Sequence, residues 1–273
     1  METEGRIPLQ RAVPPPRGLL FDLDGVFFVG DTAVPGGADV VAWADGAGIP
    51  YLFVTNTTSH PRSYLADKLA RFGVDADPAR ILTPAVAAHE WLTEQGRTPV
   101  ALFVPEATAA EFGDLPRVAA DAESGAGAVV VGDLGQAWDF ALLNRAFRLL
   151  TAEPRPVLVA LGMARFWKDD DGLTLDNGPF VQALAFASGA DPVVTGKPAA
   201  GFFHAAAHRL GLAAPAIVMV GDDVLGDVGG AQDAGMRGVL VRTGKFDAAD
   251  LERGITPDAV LDSVADLPAG FDA

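Results

Sequence analysis

Four short stretches of this chain place acidic, hydroxyl or basic side chains directly after an apolar run. Asp22 and Asp24 follow Gly18–Phe21, Thr55 and Asn56 follow Tyr51–Val54, Lys197 follows Val193–Val194 by three residues, and Asp222 and Asp227 follow Ile217–Val220. If the first strand continues through its acidic end, alternation points Asp22 and Asp24 the same way. Two like charges there repel and call for compensation. A hard divalent cation such as Mg²⁺ supplies it, because Mg²⁺ takes one or two carboxylates together with phosphate oxygens. Gly25 lets the backbone turn sharply and would leave its own N–H, and those of its neighbours, facing a ligand. Thr55-Asn56-Thr57-Thr58-Ser59 offers hydroxyls and N–H groups where a strand gives way to a helix near Pro61, a setting suited to an anion.

Each stretch also has an ordinary reading. Asp-Leu-Asp-Gly can be a solvated turn, the Thr55 cluster an N-cap box, and Lys197 one more solvated lysine. Arg165, Trp167 and Lys168 could touch a substrate or cover a domain edge with equal ease. Asp169–Asp171 reads as a turn, since no longer ligand pattern continues it into a calcium loop. His204 and His208 stand four apart, but three alanines separate them and no H-E-x-x-H pattern appears, so they read as a helix face without a metal.

The elements that must position these groups alternate in type. Buried strands are predicted at 18–22, 51–54, 100–104, 128–131, 156–161, 217–220 and 239–241, with a short one near 259–261. Helices are predicted over 37–47, from about 61, over 84–95, through Phe140, Leu143, Phe147 and Leu150, and over 200–210. Residues 164–172 are expected to be a loop. Strands alternating with helices predict parallel α/β layers. Ligands of such sheets bind at the carboxyl ends of the strands, so the four stretches could converge on one crevice.

Composition narrows the function classes. With 273 residues, 49% hydrophobic and 21% charged, the chain can bury a core. Its formal charge of −16 argues against nucleic-acid backbones as partners and means that an anionic substrate needs local cations. There is no cysteine, which removes disulfide and thiolate chemistry. Residues 1–17, with three consecutive prolines, are expected to form a disordered leader and lack the apolar segment of a signal peptide. No apolar run is long enough for a membrane span, so a cytoplasmic protein with no membrane partner is expected.

In this order, the four stretches resemble the four motifs of the haloacid dehalogenase-like (HAD) hydrolase superfamily, over nearly the whole chain after residue 17. The resemblance is closest to class IIA, the NagD-like phosphatases, and within it to the phospholysine phosphohistidine inorganic pyrophosphate phosphatases and their uncharacterised relatives. FVTNTTS (53–59), LNRAFRLL (143–150), VVTGKP (193–198), GDDVLGDVGGAQDAGM (221–236) and VRTGKF (241–246) carry the narrower likeness. It implies a Rossmann-like parallel-sheet core over 18–81 and 193–273, with an inserted α/β C2a cap over 82–192. The spacing agrees: 33 positions from Asp22 to Thr55 leave no room for a cap, and 142 from Thr55 to Lys197 leave ample room.

The resemblance also implies roles. Asp22 would be the nucleophile and Asp24 the general acid and base. Asp22, Asp222 and the Asp24 carbonyl would hold Mg²⁺, with Asp227, and Asp223 in a lesser part, orienting metal-bound waters and Lys197. Thr55, Asn56, Gly25 and Lys197 would bind the phosphoryl group. Arg165, Trp167 and Lys168, with the loop 133–138, would face the leaving group. The implied reaction is Mg²⁺-dependent hydrolysis of a small phosphorylated metabolite through an aspartyl-phosphate. A phosphotransferase with the same intermediate, or a silent ligand-binding member, are the alternatives; a dehalogenase is disfavoured because Asp24 is present. The resemblance further suggests a homodimer through the cap, though no stretch of the sequence specifies one.

Overall fold

The computed structural model describes residues 15–169 and 172–271. Residues 1–14 of the expected leader, Asp170 and Asp171 of the acidic turn, and the side chains of Lys168 and Asp169 lie outside what is described. The strands, in chain order, are β1 (Gly18–Asp22), β2 (Phe28–Val29), β3 (Thr32–Ala33), β4 (Tyr51–Val54), β5 (Ile81–Leu82), β6 (Val100–Phe103) and β7 (Ala128–Val131). They continue as β8 (Val157–Ala160), β9 (Phe166–Asp169), β10 (Gly172–Leu175), β11 (Val193–Val194), β12 (Ile217–Gly221), β13 (Arg237–Val241) and β14 (Ala259–Leu261). The chain divides into two units. The first takes the chain up to Thr55, Arg62–Leu82 and the chain from Lys197 onward; the second takes Asn56–Pro61 and Thr83–Gly196.

The first unit is built on a six-stranded parallel sheet in the order β14-β13-β12-β1-β4-β5. Central β1 is buried along its whole length, which explains why it reads as an unbroken apolar run rather than an alternating one. From β1 the chain winds outward through β4 and β5, then returns to β12 on the opposite side of β1. Such a reversal of winding direction opens a crevice beyond the strand ends. Register sets the site: Asp22 pairs with Val54, so Thr55 lies just beyond it, and Phe21 pairs with Val220, so Gly221 and Asp222 run out alongside Asp22. Beneath these ends, Phe21, Phe27, Tyr51 and Phe53 pack edge to face, with centroids 5.3–6.0 Å apart for Phe21–Phe27, Phe27–Phe53, Tyr51–Phe53 and Phe21–Tyr51. Burial of each such ring is worth about 1.5–3 kcal/mol, enough to hold the strand ends firm.

In the second unit, β11-β8-β7-β6 form a parallel sheet. Alternate residues of β7 face opposite ways. Val129 and Val131 join Ala146, Leu149 and Leu184 of the helices Phe140–Thr151 and Asn177–Ser188, whereas Ala128 and Val130 join Ala88 and Leu92 of the helix Pro84–Glu94. Several points differ from the sequence reading, and residues 56–61, expected in the core, fall in the second unit. Residues 164–172 are not simply a loop: Phe166–Asp169 and Gly172–Leu175 pair as an antiparallel hairpin, whose mixed polar and aromatic residues gave no clean apolar alternation. The helix Asn177–Ser188 was not anticipated; Asp176 caps it and Gly189 ends it at φ 71°. Val193–Val194, assigned to the core by sequence, pairs with β8 in the smaller sheet.

Candidate active site

The carboxyl end of β1 and the end of β12 bring Asp22 and Asp222 together, and the turn after β12 adds Asp227. One carboxylate oxygen from each lies within 4.8 Å of the others. All three side chains are buried. Lys197 enters the same cluster, 4% exposed, with Nζ 2.9 Å from Asp22 Oδ1 and 2.6 Å from Asp227 Oδ1. The Leu23 N–H also donates to Asp22 Oδ1 at 2.8 Å, fixing that carboxylate at the strand end. Asp227 Oδ2 accepts the Asp223 N–H at 3.2 Å, and Asp223 Oδ1 in turn accepts the N–H groups of Leu225 and Gly226 at 2.9 and 2.8 Å. These bonds hold the π-helical turn Val224–Gly229 that carries Asp227.

The electrostatics show an unbalanced cluster. Burial pushes Asp22 above the usual carboxylate range against the pull of Lys197. Burial also lifts Asp227 to about 7, with the nearby Asp22 charge adding to it, and Asp222 to about 6. Burial alone would lower Lys197, but the Asp22 and Asp227 charges outweigh it and hold its pKa above the ordinary value. Three carboxylates thus face one ammonium, an excess that a divalent cation would balance. A further observation agrees: Asp222 Oδ1 is buried without a hydrogen-bond partner. A buried acceptor left in that state is costly unless a ligand meets it. The donor set is all oxygen, which suits Mg²⁺.

The other sequence candidates fall as follows. β1 ends at Asp22 rather than running on through Asp24, because the N–H groups of Val26 and Phe27 turn back to the Leu23 carbonyl. Asp22 is therefore buried while Asp24 is exposed. Gly25 does take a left-handed conformation, φ 79°, but its N–H is not free for a ligand: it donates to the Phe28 carbonyl at 2.7 Å. The tight turn closes on itself. Thr55 is buried, with its N–H on the Leu82 carbonyl at 3.2 Å. Asn56, Arg165, Trp167 and Lys168 belong to the second unit. There Asn56, Arg165 and Trp167 are exposed, and Arg165 lies 5.9 Å from the Phe166 ring centre. Lys168 contributes its backbone to β9.

Sequence reasoning gave no role to residues 243–245, which reach the site from the end of β13. Lys245 donates its N–H to Asp222 Oδ2 at 2.6 Å, and the Thr243 hydroxyl donates to the Gly25 carbonyl. The signal was there in outline, a Thr-Gly pair beginning two residues past a buried strand, but neither type announces metal chemistry.

A family model described as haloacid dehalogenase-like hydrolase matches residues 19–115, and one described as HAD-hydrolase-like matches residues 194–267. Over 255 residues the chain is 36% identical to the phospholysine phosphohistidine inorganic pyrophosphate phosphatase of Homo sapiens, covering 92% of each. It is 38% identical over 245 residues to haloacid dehalogenase-like hydrolase domain-containing protein 2 of Homo sapiens, covering 90% of this chain and 91% of that one. The p-nitrophenyl phosphatase from Archaeoglobus fulgidus superposes with a TM-score of 0.84 at 28% identity, over 93% of this chain and 98% of its own.

Proposed function

The chain belongs to the haloacid dehalogenase-like hydrolase family, and from that premise we propose that it is a Mg²⁺-dependent phosphatase of small phosphorylated metabolites. The observation that carries this reading is the buried set of Asp22, Asp222 and Asp227 around Lys197, with Asp222 Oδ1 left unpartnered. Asp22 and Asp222 would hold the ion together with the Asp24 carbonyl, and Asp227 would hold Lys197 beside them. Bound there, Mg²⁺ supplies positive charge to the phosphoryl oxygens.

The chain's own residues do the rest. Lys197 and the Leu23 N–H keep the Asp22 carboxylate in one orientation, so that it can attack phosphorus. The new bond from Asp22 to phosphorus forms as the bond to the leaving oxygen breaks, and Asp24 gives that oxygen its proton. Asp24, now a carboxylate, takes a proton from water, which attacks the aspartyl-phosphate; phosphate leaves and Asp22 is regenerated. The exposure of Asp24 suits a group that must meet both leaving group and water. Lys197 and the Thr55 end of β4 would bind the phosphoryl oxygens as their charge grows. The second unit is read as the inserted cap, and its residues 133–138 and 165–168 as the segments that choose among leaving groups.

The relatives' names extend the choice of substrate from phosphate esters to P–N bonds and pyrophosphate. A phosphate-release screen tests the reading: p-nitrophenyl phosphate, pyrophosphate, a phosphoramidate, sugar phosphates and nucleotides, each with Mg²⁺ and with EDTA. Release from one or more compounds is expected with Mg²⁺, falling to background in EDTA and in Asp22→Asn. Activity of Asp22→Asn above a few per cent of the parent would overturn the nucleophile. Silence across the panel, with Mg²⁺ binding still measured, would favour the transferase or binding alternatives.

A further inference from the structure

We propose that Thr243–Lys245 is a latch that presents Asp222 to the metal, occupying Oδ2 and leaving Oδ1 as the coordinating oxygen. The inference rests on the reading of Asp222 as a metal ligand. The segment begins two residues beyond the end of β13, in the sheet position next to β12. Its Lys245 N–H donates to Asp222 Oδ2 at 2.6 Å, while Asp222 Oδ1, buried from solvent, has no partner. The two oxygens are thus sorted, one by a backbone donor and one left open.

The latch is tight because glycines permit it. Gly244 adopts φ 68°, and a Cβ there would stand 2.1 Å from Asp222 Oδ2 and 2.4 Å from Gly25 Cα. Gly25 faces the same oxygen; a Cβ on it would stand 2.0 Å from Oδ2. Either side chain would push the carboxylate out of place. Thr243 ties the two glycine turns together, its hydroxyl donating to the Gly25 carbonyl. Residues from opposite ends of the chain therefore fix one carboxylate rotamer, and the turn holding Asp24 is fixed with it. Partners that orient a ligand in this way typically change metal affinity by about 10–100-fold when removed.

Thr243 is a positioning residue, so its test reads metal binding directly. Mg²⁺ would be titrated by calorimetry into protein stripped with EDTA and exchanged into metal-free buffer. Thr243→Val keeps the shape and loses the hydroxyl; affinity about tenfold or more below the parent is expected. Thr243→Ser should restore most of it. Arg242→Gln removes the neighbouring ion pair to Asp262 (2.7 Å) and should leave Mg²⁺ affinity unchanged, which separates the latch from general loosening of the segment. If Thr243→Val does not fold, Gly244→Ala carries the same expectation of weakened binding. Parent-like affinity in Thr243→Val, or equal losses in the Ser and Val variants, would overturn the latch while the metal reading stood. No Mg²⁺ binding by the parent protein would remove the metal reading, and the latch with it.

Discussion

Lys197 decides the charge balance of the site, because it is buried between two carboxylates that would otherwise face each other in a medium of low polarity. Removing one partner of a buried ion pair typically costs about 3–5 kcal/mol, since the remaining charge stays uncompensated. Lys197→Ala should therefore lose stability on that scale in urea denaturation at neutral pH in EDTA, as well as most phosphate release. A loss of activity with stability within about 0.5 kcal/mol of the parent, the range of ordinary surface changes, would contradict the buried-charge account. At this scale the sequence was informative where a charged residue follows an apolar run: Asp22, Lys197 and Asp222 all announce themselves that way. Asp227 was legible only through the motif around it. Thr243 and Gly244 stood in a stretch that carries the family likeness, but their roles were not legible, because their contribution is a hydroxyl bond and a missing side chain, visible only once Gly25 and Asp222 are beside them.

Elements were legible to the extent that their residues face a single environment. Strands β1, β4, β7 and β12 are buried on both faces and read as continuous apolar runs. The hairpin β9–β10 was missed because Trp167, Leu173 and Leu175 are exposed, so hydrophobic type there does not report burial. The helix Phe140–Thr151 shows the opposite case, with its start written in one residue. Asp139 accepts the Leu142 N–H at 2.7 Å, satisfying a donor that has no partner within the helix. Asp139→Ala should cost about 1 kcal/mol in urea denaturation, and Asp139→Asn much less, since asparagine caps equally well. Equal losses for both would assign the effect to the charge of Asp139 and not to the cap bond. Mg²⁺ affinity should be untouched by either, because Asp139 belongs to the second unit and the carboxylate cluster to the first.

For the whole molecule, the formal charge of −16 sets the problem that the site has to solve. A phosphate ester is an anion, and at long range an acidic chain repels it. Lys197, with the cation proposed beside it, would act only near the strand ends, within the span over which such a field survives solvent. Screening should therefore favour encounter by weakening the distant repulsion more than the close attraction. The Debye length falls from about 30 Å at 0.01 M to about 8 Å at 0.15 M ionic strength. Across that range kcat/KM for p-nitrophenyl phosphate should rise, with Mg²⁺ held saturating, while kcat changes little because the bound substrate lies inside the screened distance. Steady-state kinetics at a series of salt concentrations measures both quantities. A steady fall in kcat/KM would mean instead that the field at the site mouth is already positive, the local cations having outweighed the rest of the chain before the substrate arrives.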